Sequence, residues 1–388
     1  MDKKDIAAIR RQLKVDNDLL RISDIFNVYI MKETTDIYHH QSQPFEMLDR
    51  DQQELFMNNF KKVLTGQLDE KIFELKFQRD AENHSQLILH KGLLSSDIEA
   101  WKEQMLLMTE KMIKEHPYEK DIVISFIRAE YLKPTKQQNE EAEESERDAV
   151  YSNPFILCSI NKTEEPKKEI QFDYIEKEFK YKIEADPVID LKNPMSGFLF
   201  PSISDGASDV NHVLYAAGKA NEPDYWFIEN VLNGEDIMTA KEDKAVFEEV
   251  IKDVVGDQLN PSTLANVYGE INRVVEENEE DEPPKLDYKD VERVLNQSGE
   301  QVDAEKVKTA FQQATTDETY ELKASSIVPK YNSKSIKINT KIANISISPQ
   351  DLQYVRQVNY QGKRCIMIEV EEDAEVDGFK MLPEAFGE

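Results

Sequence analysis

The residues best suited to chemistry fall in one short loop. In residues 193–217, NPMSGFLFPSISDGASDVNHVLYAA, the apolar run Phe198, Leu199 and Phe200 ends at Pro201. A polar loop follows, carrying Asp205, Ser208, Asp209 and Asn211, with His212 beside them. Two carboxylates and an amide oxygen at this spacing could supply hard oxygen ligands to Mg2+ or Ca2+, which would make the loop the site of a divalent-cation-dependent hydrolase. The competing reading is turn chemistry, in which those side-chain oxygens accept from nearby backbone N–H groups, and it is the favoured one. Asp190-Leu191-Lys192, with Asp186 upstream, has the Asp-x-Lys look of some metal-dependent nucleases. Lys330, Lys334, Lys337 and Lys341 form a basic run without an acid, better read as edge-strand lysines that block aggregation than as a contact for an acidic partner.

Other chemistries find little support. There is no Walker A loop, dinucleotide fingerprint, zinc-ligand spacing, HExxH pair or nucleophile elbow, and the chain has only 12 glycines from which to build a phosphate-cradling loop. The six histidines, at 39, 40, 84, 90, 116 and 212, are scattered. The formal net charge of −29 opposes binding to nucleic acid or to an anionic membrane, because both need basic surface. No apolar run reaches the roughly 18–20 residues of a membrane span, and the first ten residues lack a signal-peptide apolar region. Cys158 and Cys365 sit in apolar strand-like runs and read as buried thiols. These features predict a cytoplasmic protein.

The elements that must position the loop follow from periodicity. Alternating or continuous β-branched and aromatic runs predict strands at 25–31, 36–41, 121–131, 151–161 and 170–189, with one face of the last solvated. The runs on either side of the polar loop predict two strands at the centre of a sheet. Helices are predicted over 4–14, 51–64 and 96–115. The last opens on a Ser96/Glu99 capping box and carries Ile98, Trp101, Met105, Met108 and Met112 as a stripe to pack on the sheet. Shorter or capped helices are expected at 224–232, from Thr239, from Pro261, from Asp287 and after Asp303. The last two invite a helix-turn-helix reading that their acidic balance disfavours. Strands follow at 320–328, 335–340 and 344–348, with a hairpin turning at Gln361-Gly362.

The fold class read from this order is α+β, with mixed or antiparallel sheets, packed helices and a smaller C-terminal α+β module. Residues 1–275 form the main domain, with 134–148 a mobile acidic loop. Residues 276–286 are an acidic, proline-containing linker, and 287–388 hold the helix pair and β module.

Four stretches carry a likeness to a known family: KKDIAAIRRQLK at 3–14, YSNPFILCSI at 151–160, GFLFPSISDGASDVNHVLYAA at 197–217 and NYQGKRCIMIEVEEDAEVDGF at 359–379. Through them the chain resembles the Gram-positive bacterial family of domain of unknown function 4317. The resemblance implies a bacterial cytoplasmic protein and transfers no catalytic residue. With no catalytic motif found, the functional expectation is a non-enzymatic binding or regulatory protein whose partner is another protein. The alternatives are the hydrolase at the 201–212 loop, with Mg2+ or Ca2+ as its cofactor, and an acidic mimic of nucleic acid.

Overall fold

Strand alternation builds the sheet that organises the first part of the chain. The computed structural model describes residues 1–79, 84–115, 117–134, 150–164, 168–183, 186–204, 206–256, 259–277, 284–315, 320–328, 335–371, 374–376 and 379–381. They divide into two compact units, Met1–Thr239 and Ala240–Glu388.

In chain order the first unit holds α1 (Lys3–Gln12), β1 (Leu20–Ile30), β2 (Ile37–Pro44), α2 (Arg50–Val63), β3 (Ile72–Lys76), α3 (Ser85–Leu94), α4 (Ile98–Ile113), β4 (Ile122–Pro134) and β5 (Val150–Glu164). It continues with β6 (Lys168–Asp173), β7 (Glu178–Ile183), β8 (Val188–Ile189), β9 (Ser196–Phe200), β10 (Ser202–Ser204), β11 (Ala207–Asp209), β12 (His212–Ala216) and a π-helix, Phe227–Leu232. The main sheet runs β2-β1-β4-β5-β9-β12-β3, with β8 added on β5, and every pairing in it is antiparallel. The predicted strands at 25–31 and 36–41 pair with each other, as do those at 121–131 and 151–161. The strands flanking the polar loop, β9 and β12, are neighbours as expected, but they lie toward the β3 edge, and the long β4–β5 pair takes the centre.

Because successive side chains point to opposite faces, each strand serves two cores. Ile122, Ile124 and Phe126 of β4, with Ile156, Cys158 and Ile160 of β5, pack in one cluster with Trp101, Met105, Met108 and Met112 of α4 and Val231 of the π-helix. Ile127, Ala129 and Tyr131, with Phe155 and Leu157, share the other with Ile6 and Ile9 of α1 and Phe60 and Val63 of α2. The methionine stripe is therefore core. Burying each such side chain contributes about 1.5–3 kcal/mol. The α4 cap sits one residue later than expected: Asp97, not Ser96, accepts from the Ala100 N–H at 3.2 Å. Helix α3 lies outside the helices that periodicity predicts, because its apolar residues show almost no one-sided pattern.

Among its described residues the second unit has helices α5 (Ala240–Val255), α6 (Pro261–Glu277), α7 (Tyr288–Gln297) and α8 (Ala304–Thr315), with four two-stranded antiparallel pairs. One of these, Val355–Tyr360 with Lys363–Ile368, turns at Gln361 and Gly362, both at positive φ, as the sequence predicted. The predicted strand over 320–328 is corrected: after Leu322–Lys323 the chain forms a helical turn, Ala324–Ile327. The division into units also differs from the sequence-based one. Helices α5 and α6 group with the C-terminal residues because α5 packs on α8 and on Ala324–Ile327, and α6 on the 3-10 turn Pro349–Tyr354. Of the two acidic segments, 135–149 and 278–283 lie outside the described residues.

Candidate functional site

The loop after Pro201 is a small hairpin: Ser202, Ile203 and Ser204 of β10 pair with Asp209, Ser208 and Ala207 of β11, and Gly206 takes φ 82° near the turn. The Asp-Gly dipeptide at 205–206 is the short-hairpin signal in the sequence that points to it. Asp205 lies outside the described residues. Of the other candidates, Asp209, Asn211 and His212 come together. Asp209 Oδ1 accepts from the Asn211 N–H at 2.9 Å and from Asn211 Nδ2 at 3.0 Å, and Oδ2 meets His212 Nδ1 at 2.6 Å. Ser208 turns elsewhere, donating from Oγ to Asn153 Oδ1 at 3.0 Å. Gln86 Nε2 donates to Val210 O at 2.9 Å and tethers the end of the loop to α3. Burial works to raise the Asp209 pKa, but the Asn211 N–H, the His212 ring and the Asn211 amide outweigh it and hold the carboxyl below its ordinary value. Both Asp209 oxygens are thus engaged by protein donors, the geometry of turn chemistry.

A second feature stands out by exposure. Among the described residues, strands β6 and β7 pair only with each other, in the register Ile170↔Tyr181, Gln171↔Lys180, Phe172↔Phe179 and Asp173↔Glu178. Because side chains alternate, the Ile170–Tyr181 and Phe172–Phe179 pairs share one face, and the polar pairs Gln171–Lys180 and Asp173–Glu178 take the other. Phe172 stacks at a tilt on Phe179, with ring centroids 5.1 Å apart, and meets Tyr174 edge-on at 5.2 Å. Ile175 stands at the turn. These six side chains are between 40% and 92% exposed. The tip is pinned: Asp173 Oδ1 accepts from the Ile175 N–H at 2.9 Å and the Glu176 N–H at 3.1 Å, while Lys180 Nζ bridges Asp173 and Glu176 at 3.0 and 2.7 Å. The sequence placed strand and solvent here but not a binding face. The missed signal was apolar alternation at 170, 172 and 174, resumed at 179 and 181, on both sides of a turn.

Residues 1–379 match the family described as Domain of unknown function (DUF4317). The chain belongs to that family. No curated protein and no solved structure matches it.

Elsewhere in this DUF4317 chain the chemically suggestive residues are held by structure. Asp190 Oδ1 accepts from the N–H groups of Lys192 and Asn193, each at 3.2 Å, and Lys162 rather than the Lys192 ammonium faces its Oδ2, at 3.7 Å. That is a closed turn where the Asp-x-Lys pattern suggested a nuclease. Lys330 and Lys334 lie outside the described residues, and Lys337 and Lys341 are exposed. Cys158 is fully buried, which pushes its thiol pKa well up, and Cys365 is half-buried; neither is in a disulfide. Burial lowers the Lys111 pKa to about 8. Its Nζ donates to Ser85 Oγ and Asn233 Oδ1, both at 2.6 Å, where Asn233 ends the π-helix in the left-handed region. Ser85 Oγ is fully buried and donates to Val231 O at 2.5 Å, so this Ser–Lys pair closes the end of a helix. Among the described residues no three His, Cys, Asp or Glu side chains gather to hold a metal, and no helix is long and apolar enough to cross a membrane.

The loop's chemistry gives an expected result. Since Asp209 is already engaged, magnesium, calcium and sodium at matched ionic strength should shift the melting temperature equally, through screening of the net charge. A bound divalent ion at a hundredfold excess would add about 2.7 kcal/mol. A divalent-specific rise that Asp209→Asn abolishes would restore the cation site. Because the folded-state pKa of Asp209 is depressed, its contribution is present above the ordinary carboxyl range and is lost as pH falls through the folded value. Asp209→Asn should therefore flatten the acid side of the stability profile, checked by urea midpoints between about pH 3 and 6.

Proposed function

We propose that this chain is a cytoplasmic, non-enzymatic binding or regulatory protein that acts through protein–protein contacts, with the aromatic face of the β6–β7 hairpin as its docking surface. The observation that carries the reading is that hairpin. An isolated two-stranded ribbon is marginal in water, and large exposed apolar patches on soluble proteins mark places where something binds. Here the apolar residues are sorted onto one face and the turn is locked, so little ordering entropy remains to be lost on docking. The unpaired cysteines fit a reducing compartment, and the negative charge argues for a protein rather than a nucleic acid or anionic lipid as partner.

The test is photo-cross-linking in the cells that make the protein, with a benzophenone amino acid at Phe179 and, as control, at the exposed Leu87 of α3. The expected result is a protein adduct from position 179 that Phe172→Ser abolishes, and none from position 87. Equal adducts at both positions, or none at 179, would refute the reading.

A further inference from the structure

We infer that the partner of the hairpin face is the same face of a second copy of this chain, so that two chains join as a two-fold dimer. The inference rests on the reading of the hairpin as a docking surface and adds the identity of what covers it. A two-fold interface presents one patch to itself, so the patch must be complementary to its own image. This face is. Its middle is the Phe172–Phe179 pair, and each end carries a tyrosine, Tyr174 toward the turn and Tyr181 toward the base. A two-fold axis through the phenylalanines stacks ring on ring and lays each copy's turn over the other's base. Every tyrosine hydroxyl then stays at the rim, where water can reach it.

Charge favours the same arrangement. The whole chain carries −29, so two copies repel wherever their bodies approach. Residues 168–183 hold four lysines and four acids and are locally neutral. Residues 174–181 are exposed throughout, and among the described residues the hairpin pairs with no strand of the main sheet. Six-residue strands extend about 20 Å, beyond the roughly 8 Å over which charge is felt at physiological salt. A partner recruited by attraction to the acidic body would need no neutral aromatic arm, whereas a second −29 body does. Size fits as well. Six side chains of this kind, exposed as these are, offer on the order of 800 Å2 per copy, about what one side of a stable interface buries.

Sedimentation of the purified full chain from about 1 to 100 µM tests this. The expected result is a monomer–dimer equilibrium within that range that tightens as ionic strength rises from about 0.01 M, where charge is felt over about 30 Å and the bodies still repel, to physiological salt. Phe172→Ser with Phe179→Ser should weaken it at least about a hundredfold. Tyr174→Glu, at a position whose turn is held by Asp173, should do the same without touching the ribbon's hydrogen bonds. A wild-type monomer at every concentration overturns the inference. So does a dimer that survives both variants, or one that salt dissolves. A monomer in sedimentation that still cross-links from position 179 to a different protein removes the second copy alone and leaves the docking surface in place. A monomer with no cross-link removes both.

Discussion

Gly197→Ala should destabilise the first unit by about 3 kcal/mol, at the upper end of what overpacking costs. Gly197 lies on β9 opposite Ser159 of β5 and Ala216 of β12, on the face that α2 covers. A Cβ there would sit 2.3 Å from the Cys158 carbonyl oxygen and 2.7 Å from Val63 Cγ1. The first is backbone inside the β5 ladder. The second is a buried side chain in the last turn of α2. Neither can move without shifting a strand or a helix, so the added methyl separates α2 from the sheet. Gly362→Ala is the matched control: it sits at φ 78° with nothing within 4 Å of the added carbon, and costs only the left-handed backbone term of about 1–2 kcal/mol, in the other unit. Both tryptophans, Trp101 and Trp226, belong to the first unit, so urea unfolding followed by tryptophan emission reads Gly197→Ala directly. An unchanged midpoint would contradict the packing of α2 on β9.

The sequence made the sheet legible where physical signals agreed. Residues 122–127 are β-branched or aromatic but for Ser125, and 155–160 are apolar but for Ser159, the continuous pattern of a strand buried on both faces. Met105, Met108 and Met112 recur at helical spacing, and the structure buries all three. The family was legible as well, from four stretches spread over the chain. Other features were hidden for identifiable reasons. At the start of α4, Ser96 and Asp97 are both good caps, and local propensity cannot choose between them. The unit boundary before Ala240 was missed because acids and prolines at 276–284 mark composition, while a boundary depends on which apolar faces meet. Those of α5 and α6 found cover downstream. The loop candidates were found by residue type, but their arrangement depended on rotamers: Asp209 engages Asn211 and His212, while Ser208 faces Asn153. The aromatic hairpin was overlooked because eight charged residues in 168–183 dominate its composition and conceal the alternation beneath.

The second large effect concerns the solvent accessibility of that hairpin, on which the functional account stands. In dilute purified protein, Phe172, Tyr174, Phe179 and Tyr181 face water and should react readily with a hydroxyl-radical footprinting reagent. Inside the cell the docking surface should be covered. Interface cores are desolvated to the density of protein interiors, so the reactivity of these rings should fall by about tenfold, while the exposed Tyr38 on β2 and Tyr225 before the π-helix keep theirs. The comparison uses the unmodified chain and needs no knowledge of what covers the face. The measurement that tests the account most directly is this footprint taken in the cell and in dilute solution. Protection confined to the hairpin rings is the result the account predicts; equal labelling of those rings in both settings would contradict it.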